Sequence, residues 1–155
     1  MKGHPHCKLE ESMIWGNTIN CTNVPVHLNM LNLGEYMSRN STFELEGLTI
    51  SENYLQTNMS SISAFGVFLN IQNCGNYLKD RSGVDFGPVN ITGNRVRAYM
   101  GVEIDYITNI GKFNSDESIF LFRGLNISGN EIEAETQGIF LDEIEHIGTS
   151  CQGDS

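Results

Sequence analysis

Three acidic side chains lie in two similar segments of the sequence, where they could act together. Glu103 and Asp105 belong to GVEIDYITNIG, and Asp142 belongs to GIFLDEIEHIG. If these segments are neighbouring parallel strands, Asp105 and Asp142 lie within roughly 5 Å, with Glu103 beside them. Carboxylates so close raise a pKa or bind a cation such as Ca²⁺ through oxygen ligands. Asp105 and Asp142 are therefore the catalytic candidates, all three are the metal candidates, and a solvated acidic patch is the alternative.

The same strands present side chains that could contact a sugar. Strict alternation turns every second residue of a strand outward. One outward column contains His27, Phe68, Glu103 and Phe140, and the next contains Asn29, Asn70, Asp105 and Asp142. The candidates for binding carbohydrate are the aromatic and amide members, Phe68, Phe140, Asn29 and Asn70.

These strands belong to an internal repeat. Four segments align without gaps, namely SMIWGNTINC from Ser12, LTISENYLQT from Leu48, VNITGNRVRA from Val89 and LNISGNEIEA from Leu125. Their anchor asparagines, spaced by 36, 41 and 36 residues, are Asn17, Asn53, Asn94 and Asn130. A second half aligns from Pro25, Gly66, Gly101 and Gly138, and it closes on Gly34, Gly75, Gly111 and Gly148. Such short units bury a face only by stacking on one another.

Stacking gives the anchor asparagines a structural role. They would lie one above another, about 4.8 Å apart. Their amides can then hydrogen-bond along the column and satisfy backbone groups of the turn. We therefore predict an asparagine ladder, and glycines that close each unit at turns with positive φ or close backbone approach.

The unit I-x-G-N-x-I followed by G-I-x-L resembles the right-handed parallel β-helix repeat of the pectin-lyase-like superfamily, from about Ser12 to Gly148. The resemblance implies an all-β solenoid of about four coils. Extra segments, EYMSRNST, NYLKDRSGV and KFNSDES, are predicted as long loops on one side of the stack. The superfamily includes pectate lyases, polygalacturonases, epimerases, tailspikes and noncatalytic surface proteins, so the fold does not decide the function. No catalytic signature of the superfamily maps onto this sequence.

Two other folds remain open from the sequence. GIFLDEIEHIG has apolar residues loosely at helical spacing, and a β-propeller also repeats at about 40 residues. Within the solenoid interpretation, residues 1–11 are an N-terminal extension, 12–148 the repeats and 149–155 a C-terminal tail. Each end of the stack would expose unpaired strand edge, which predicts a larger protein or an oligomer.

Charge and composition limit the partners. Nine Lys and Arg against nineteen Asp and Glu give a net charge of −10, which disfavours nucleic acid. No run reaches the length of a membrane span, and the start lacks the apolar stretch of a signal peptide. Five N-x-[ST] sequons occur, at Asn20, Asn40, Asn58, Asn90 and Asn126, which is only slightly more than chance would give. The resemblance to the superfamily, whose members are commonly secreted or surface-bound, implies an extracellular or cell-surface location.

Cysteine and histidine give no clear site. The HPHC segment at His4 to Cys7 has no second ligand pair to complete a zinc site. Four cysteines allow three disulfide connectivities, which the sequence leaves open.

The sequence favours a noncatalytic surface or structural module that contacts glycans or neighbouring protein subunits. The first alternative is a polysaccharide lyase, hydrolase or epimerase that uses Asp105 and Asp142, since retaining glycosidases need two carboxyls about 5 Å apart. The second is an intracellular protein-interaction scaffold. No cofactor is predicted other than Ca²⁺.

Overall fold

The computed structural model describes residues 5–147, and this range contains strands but no helix. The first repeat comprises β1 (His6–Leu9), β2 (Ser12–Trp15), β3 (Thr18–Asn20) and β4 (Val26–Leu31). The second comprises β5 (Thr42–Leu45), β6 (Leu48–Ser51), β7 (Tyr54–Gln56) and β8 (Phe65–Gln72). The third comprises β9 (Gly83–Phe86), β10 (Val89–Thr92) and β11 (Arg95–Ile110). The fourth comprises β12 (Ile119–Phe122), β13 (Leu125–Ser128) and β14 (Glu131–Ile147).

The strands form three parallel sheets, and each repeat adds to all three. The first sheet contains β1, β5, β9 and β12, and the second contains β2, β6, β10 and β13. The third contains β3, β4, β7, β8, β11 and β14. Within residues 5–147 there is thus no candidate for a membrane-spanning helix.

The pairing register follows the repeat. In the first sheet, His6 aligns with Thr42, Thr42 with Gly83, and Gly83 with Ile119. These steps equal the spacings of the anchor asparagines, so each strand pairs with its counterpart in the next repeat. The all-β prediction is confirmed, and the curled parallel sheets are compatible with a parallel β-helix. The helical alternative for GIFLDEIEHIG is wrong because that segment lies in β14, and parallel pairing does not fit the hairpin-linked blades of a propeller.

The structure tests the predicted start of the repeats but not their predicted end. Strand β1 lies inside residues 1–11, which the sequence leaves outside the repeats, and it pairs with β5. The tail at 149–155 and Gly148 lie outside the described residues. Three of the closing glycines lie within the described residues, and all three have φ near +60°, as the turn prediction requires: Gly34, Gly75 and Gly111.

The core lies between the three sheets and is best formed in the middle repeats. Alternation buries every second residue of the strands, so Ile50 and Ile91 of the second sheet have no exposed surface. Their counterparts in the outer repeats, Ile14 and Ile127, are only half-buried because each has a neighbouring layer on one side. Stacking therefore provides the burial that no single repeat achieves.

The anchor asparagines hydrogen-bond from repeat to repeat. The Nδ2 group of Asn53 donates to Asn94 Oδ1 at 2.9 Å, and Asn94 Nδ2 donates to Asn130 Oδ1 at 2.9 Å. The backbone N–H of each of these donors bonds to the same oxygen. Each Nδ2 also reaches back to a carbonyl of the preceding repeat, as Asn94 does to Ile50 at 2.8 Å. Buried amides that are fully hydrogen-bonded in this way fix one register between layers.

The long segments between the third and first sheets also stack. The rings of Tyr36 and Tyr77 lie 4.9 Å apart between centroids, and those of Tyr77 and Phe113 lie 5.1 Å apart. The amide of Asn114 accepts a hydrogen bond from the backbone N–H of Leu78 at 3.0 Å. These segments therefore continue the layered order of the sheets.

Glycine allows adjacent layers of the third sheet to approach closely at the second residue of β8 and at the equivalent places in β11 and β14. A Cβ at Gly66 would lie 2.6 Å from the carbonyl oxygen of Gly101. A Cβ at Gly101 would lie 2.3 Å from the carbonyl oxygen of Gly138. Gly138 occupies the same place in the last repeat, yet its Cβ would meet only Ile132 Cγ2, at 4.0 Å.

The substitution Gly101→Ala should therefore destabilise the protein by about 3 kcal/mol or more, because backbone atoms must move to admit the methyl group. The matched control, Gly138→Ala, should change the stability of the single chain by no more than about 0.5 kcal/mol. Urea unfolding monitored by circular dichroism measures both. Equal stability of the two variants would contradict this account of the stacked layers.

Candidate functional site

The site candidates lie on the outward face of the third sheet, where strand pairing sets their order. His27 aligns with Phe68, Phe68 with Glu103, and Glu103 with Phe140. We call these four residues the aromatic column. Because neighbouring strands are about 4.8 Å apart, it crosses all four repeats over roughly 14 Å.

Two rings of the aromatic column, those of His27 and Phe68, pack against one another. The His27 ring meets the Phe68 ring edge to face, with centroids 4.8 Å apart and planes at 77°. The ring of Phe65 also contacts the Phe68 ring, with centroids 5.5 Å apart. Phe68 and Phe140 remain half-buried, so part of each ring is accessible to solvent. Ring packing orients Phe68 before any ligand arrives.

A second column of polar residues runs beside the first. Asn29 aligns with Asn70, and Asn29 Nδ2 lies 3.2 Å from His27 Nε2. The register between β8 and β11 then shifts between Ile104 and Tyr106, so that Tyr106 rather than Asp105 aligns with Asn70.

Asp105 and Asp142 occupy equivalent places in the third and fourth repeats. The register between β11 and β14 is continuous here, with Ile104 opposite Leu141 and Tyr106 opposite Glu143. The extra residue of GVEIDYITNIG is therefore matched in β14 and unmatched in β8.

Glu103 is the most unusual side chain of this face. Only 7% of its surface is exposed, because it lies between the strands that carry Phe68 and Phe140. Its Oε2 atom is buried without a hydrogen-bond partner among residues 5–147, and so is Asn70 Oδ1. The amide oxygen of Asn70 can only accept hydrogen bonds, and the same holds for the carboxylate oxygens of an ionised Glu103. A protonated Glu103 can instead donate a hydrogen bond.

The electrostatics of this face favour protonation of Glu103. Burial raises the pKa of Glu103, and the carboxylates of Asp105 and Asp142 raise it further. Burial also raises the pKa of Asp105, with Asp142 as the second cause. Asp142 therefore affects the pKa of both Glu103 and Asp105, although it lies far from them in the sequence.

The cluster offers acid–base groups more clearly than it offers a metal site. A carboxyl whose pKa is raised by burial and by neighbouring carboxyls is the arrangement of a general acid. Within the described range, no group of three or more His, Cys, Asp or Glu side chains is arranged to hold a metal ion. The Ca²⁺ prediction thus gains no support from the geometry and stays a prediction.

The charge pattern differs along the third sheet. Near the anchor asparagines, Arg95 pairs with Glu131 and Arg97 pairs with Glu133, each at 3.3 Å. Such exposed pairs add little stability, but they neutralise this part of the face. The segments that carry the two columns, 26–31, 65–72, 99–110 and 135–147, contain no Lys or Arg.

The cysteines form no disulfide with one another among residues 5–147. Cys7 is exposed, Cys21 is half-buried and Cys74 is buried, all as free thiols. Burial raises the pKa of the Cys74 thiol to about 11, so it stays protonated and unreactive. His4 and Cys151 lie outside the described residues.

The stacked aromatic residues Tyr36, Tyr77 and Phe113 were not among the sequence candidates. Their rings stack face to face, Tyr36 at the end of the stack is 72% exposed, and Lys112 Nζ lies 4.8 Å from the Phe113 centroid. Their spacing of 41 and 36 residues matches that of the repeats, and this signal would have revealed the stack.

Comparison with protein-family models, with curated proteins and with solved structures gave no match for this chain. A function must therefore be inferred from the residues themselves.

The raised pKa of Glu103 predicts a pH-dependent stability. Its folded pKa lies above the ordinary value of 4.5, so between these two pKa values the folded state holds a proton that the unfolded state has lost. This contribution is complete below 4.5 and is lost as pH rises through the folded pKa. Glu103→Gln should therefore stabilise the protein at neutral and higher pH, and flatten the fall of Tm with rising pH.

Thermal unfolding across a pH series measures this effect, with the exposed Glu135→Gln as the control. A Glu103→Gln profile parallel to that of the parent protein would show that Glu103 is ionised normally in the folded state.

Proposed function

We propose that this chain is a right-handed parallel β-helix of the pectin-lyase-like kind. The support is the agreement between the repeat pattern and three parallel sheets in which every repeat adds a strand to each. The asparagine hydrogen bonds between repeats fit the same winding, since each anchor must lie directly beside the next.

The proposed function is that of a noncatalytic module of a larger protein or assembly, which contacts glycans through the aromatic column and the polar column beside it. The observation that carries this proposal is the in-register line of His27, Phe68, Glu103 and Phe140 across four strands. Half-exposed rings can pack against the apolar face of a sugar, while neighbouring amides and carboxyls bind hydroxyl groups. Repeated layers suit a polymer, whose units recur along one direction.

The charge of this face selects among glycans. The segments that form it contain no Lys or Arg, and the acids Glu103, Asp105 and Asp142 lie within it. A uronate polymer would bring carboxylates against these acids without a compensating cation. Neutral or amino-bearing glycans are therefore the proposed ligands, bound outside the cell. Of the sequon asparagines, those exposed at the surface are Asn20, Asn40, Asn58 and Asn126.

Catalysis is the second candidate. The pKa values of Glu103 and Asp105 are both raised, which is a feature of acids that transfer protons to a substrate. In this case Asp105 and Asp142 would be the catalytic carboxyls of a polysaccharide lyase, hydrolase or epimerase.

Glycan binding is tested by titrating neutral, amino-bearing and uronate oligosaccharides in a calorimeter. Phe68→Ala should weaken binding of the preferred neutral or amino-bearing glycan about tenfold, a loss of about 1.4 kcal/mol, because the central ring of the face is removed. The control is Tyr36→Ala, which removes an exposed ring from a different surface and should leave binding unchanged.

Two results would contradict the proposal. Equal losses of affinity in both variants, or preferential binding of uronates, would show that the ligand does not bind at this face. New reducing ends or unsaturated products formed by the parent protein, and abolished in Asp105→Asn, would instead establish the catalytic candidate.

A further inference from the structure

The edge formed by the fourth repeat exposes residues that are buried in the repeat before it. Ile104 has no exposed surface, whereas Leu141, its counterpart in β14, is 48% exposed. Ile139 and Ile144 are about half exposed in the same way. Among residues 5–147, nothing covers these side chains, and β14 pairs only with β11.

Gly138 keeps space for a layer that the described chain does not supply. Its counterparts Gly66 and Gly101 are crowded by the carbonyl oxygen of the next repeat, at 2.6 and 2.3 Å from an added Cβ. At Gly138 this place is open. A further repeat would put a carbonyl oxygen there, and in the first repeat the aligned residue is Pro25.

The asparagine ladder has complementary ends. Each of the first three anchors donates its backbone N–H to the Oδ1 atom of the next anchor, as Asn17 does to Asn53 at 2.9 Å. At the last anchor, the N–H of Asn130 meets no acceptor among residues 5–147. At the first anchor, Asn17 Oδ1 receives no hydrogen bond within the same range. The donor at one end of the ladder thus matches the acceptor at the other.

Charge favours joining opposite ends. β14 carries six acidic residues, namely Glu131, Glu133, Glu135, Asp142, Glu143 and Glu145. Contact between two fourth repeats would oppose these carboxylates to one another. In contrast, β3 and β4 of the first repeat contain no Asp, Glu, Lys or Arg. They can lie beside β14 without like-charge repulsion.

We infer that a second copy of this chain docks head to tail, with its first repeat forming the next layer on the fourth repeat. β3 and β4 of the incoming copy pair with the exposed edge of β14, and its Asn17 continues the ladder from Asn130. The contact is heterologous, so further copies add at the same edge and the assembly grows as a linear stack.

Two variants block the two ends separately. Gly138→Ala places a methyl group where the incoming carbonyl oxygen must lie, in a position that is open within one copy. Asn20→Pro blocks the first repeat. The carbonyl oxygen of Asn17 and the N–H of Cys21 both hydrogen-bond to the second repeat. Because backbone groups alternate along a strand, the N–H of Asn20 points away from the second repeat. Proline at this position therefore breaks no hydrogen bond within one copy. Thr18→Pro acts on the same edge and replaces Asn20→Pro if that variant does not fold.

Sedimentation velocity over a micromolar to millimolar concentration range tests the proposal, with circular dichroism to verify folding of each variant. The parent protein should form larger species as its concentration rises, and each variant alone should remain a monomer of 17.3 kDa. An equimolar mixture of the two variants should form dimers and nothing larger, since each copy keeps one functional end.

Three results would overturn the proposal. A parent protein that stays monomeric at every concentration would show that something other than a second copy covers the edge. Association of either variant alone would indicate a symmetric contact or another surface. A mixture that stays monomeric, although the parent protein associates, would exclude pairing of these two edges.

Discussion

The register between layers depends on a few buried amides. Asn53 and Asn94 are 2% and 1% exposed, and each both accepts and donates hydrogen bonds across a layer boundary. Displacing one layer by a single residue would leave these groups without partners and turn the apolar side of each strand outward. The stacked hydrophobic residues, the close approach at Gly101 and the outward columns all require that this displacement does not occur.

The acidic face owes its chemistry to the same stacking. Within its own repeat, Glu103 is an outward residue of a strand, and it becomes buried only because Phe68 and Phe140 are brought to either side of it. Asp142 reaches Asp105 only through the pairing of β11 with β14. A raised carboxyl pKa is therefore a property of three adjacent layers, and a single repeat could not produce it.

Much of the fold could be predicted because the same residue types recur at fixed offsets in each repeat. These are the anchor asparagine, the apolar residues that flank it and the alternation of the strand that follows. The features that the sequence did not predict each have a local cause. Strand β1 has no anchor asparagine to mark it. The stacked loops turn at left-handed residues such as Arg39 and Arg81, where no glycine signals the turn. The extra residue of GVEIDYITNIG is visible in the sequence, but only the strand pairing shows that the register shifts beside Asp105. The burial of Glu103 depends on side-chain size in two other repeats.

The most direct test of the account is a double-mutant cycle on Asn53 and Asn94, measured by urea unfolding. Each single substitution to alanine should cost about 2–3 kcal/mol, because it leaves buried backbone or amide groups unpaired. The double variant should be more stable than the sum of the two losses predicts, with a coupling of about 1 kcal/mol or more. Additivity within about 0.3 kcal/mol would contradict the claim that these two amides act on one another to hold the layers in register.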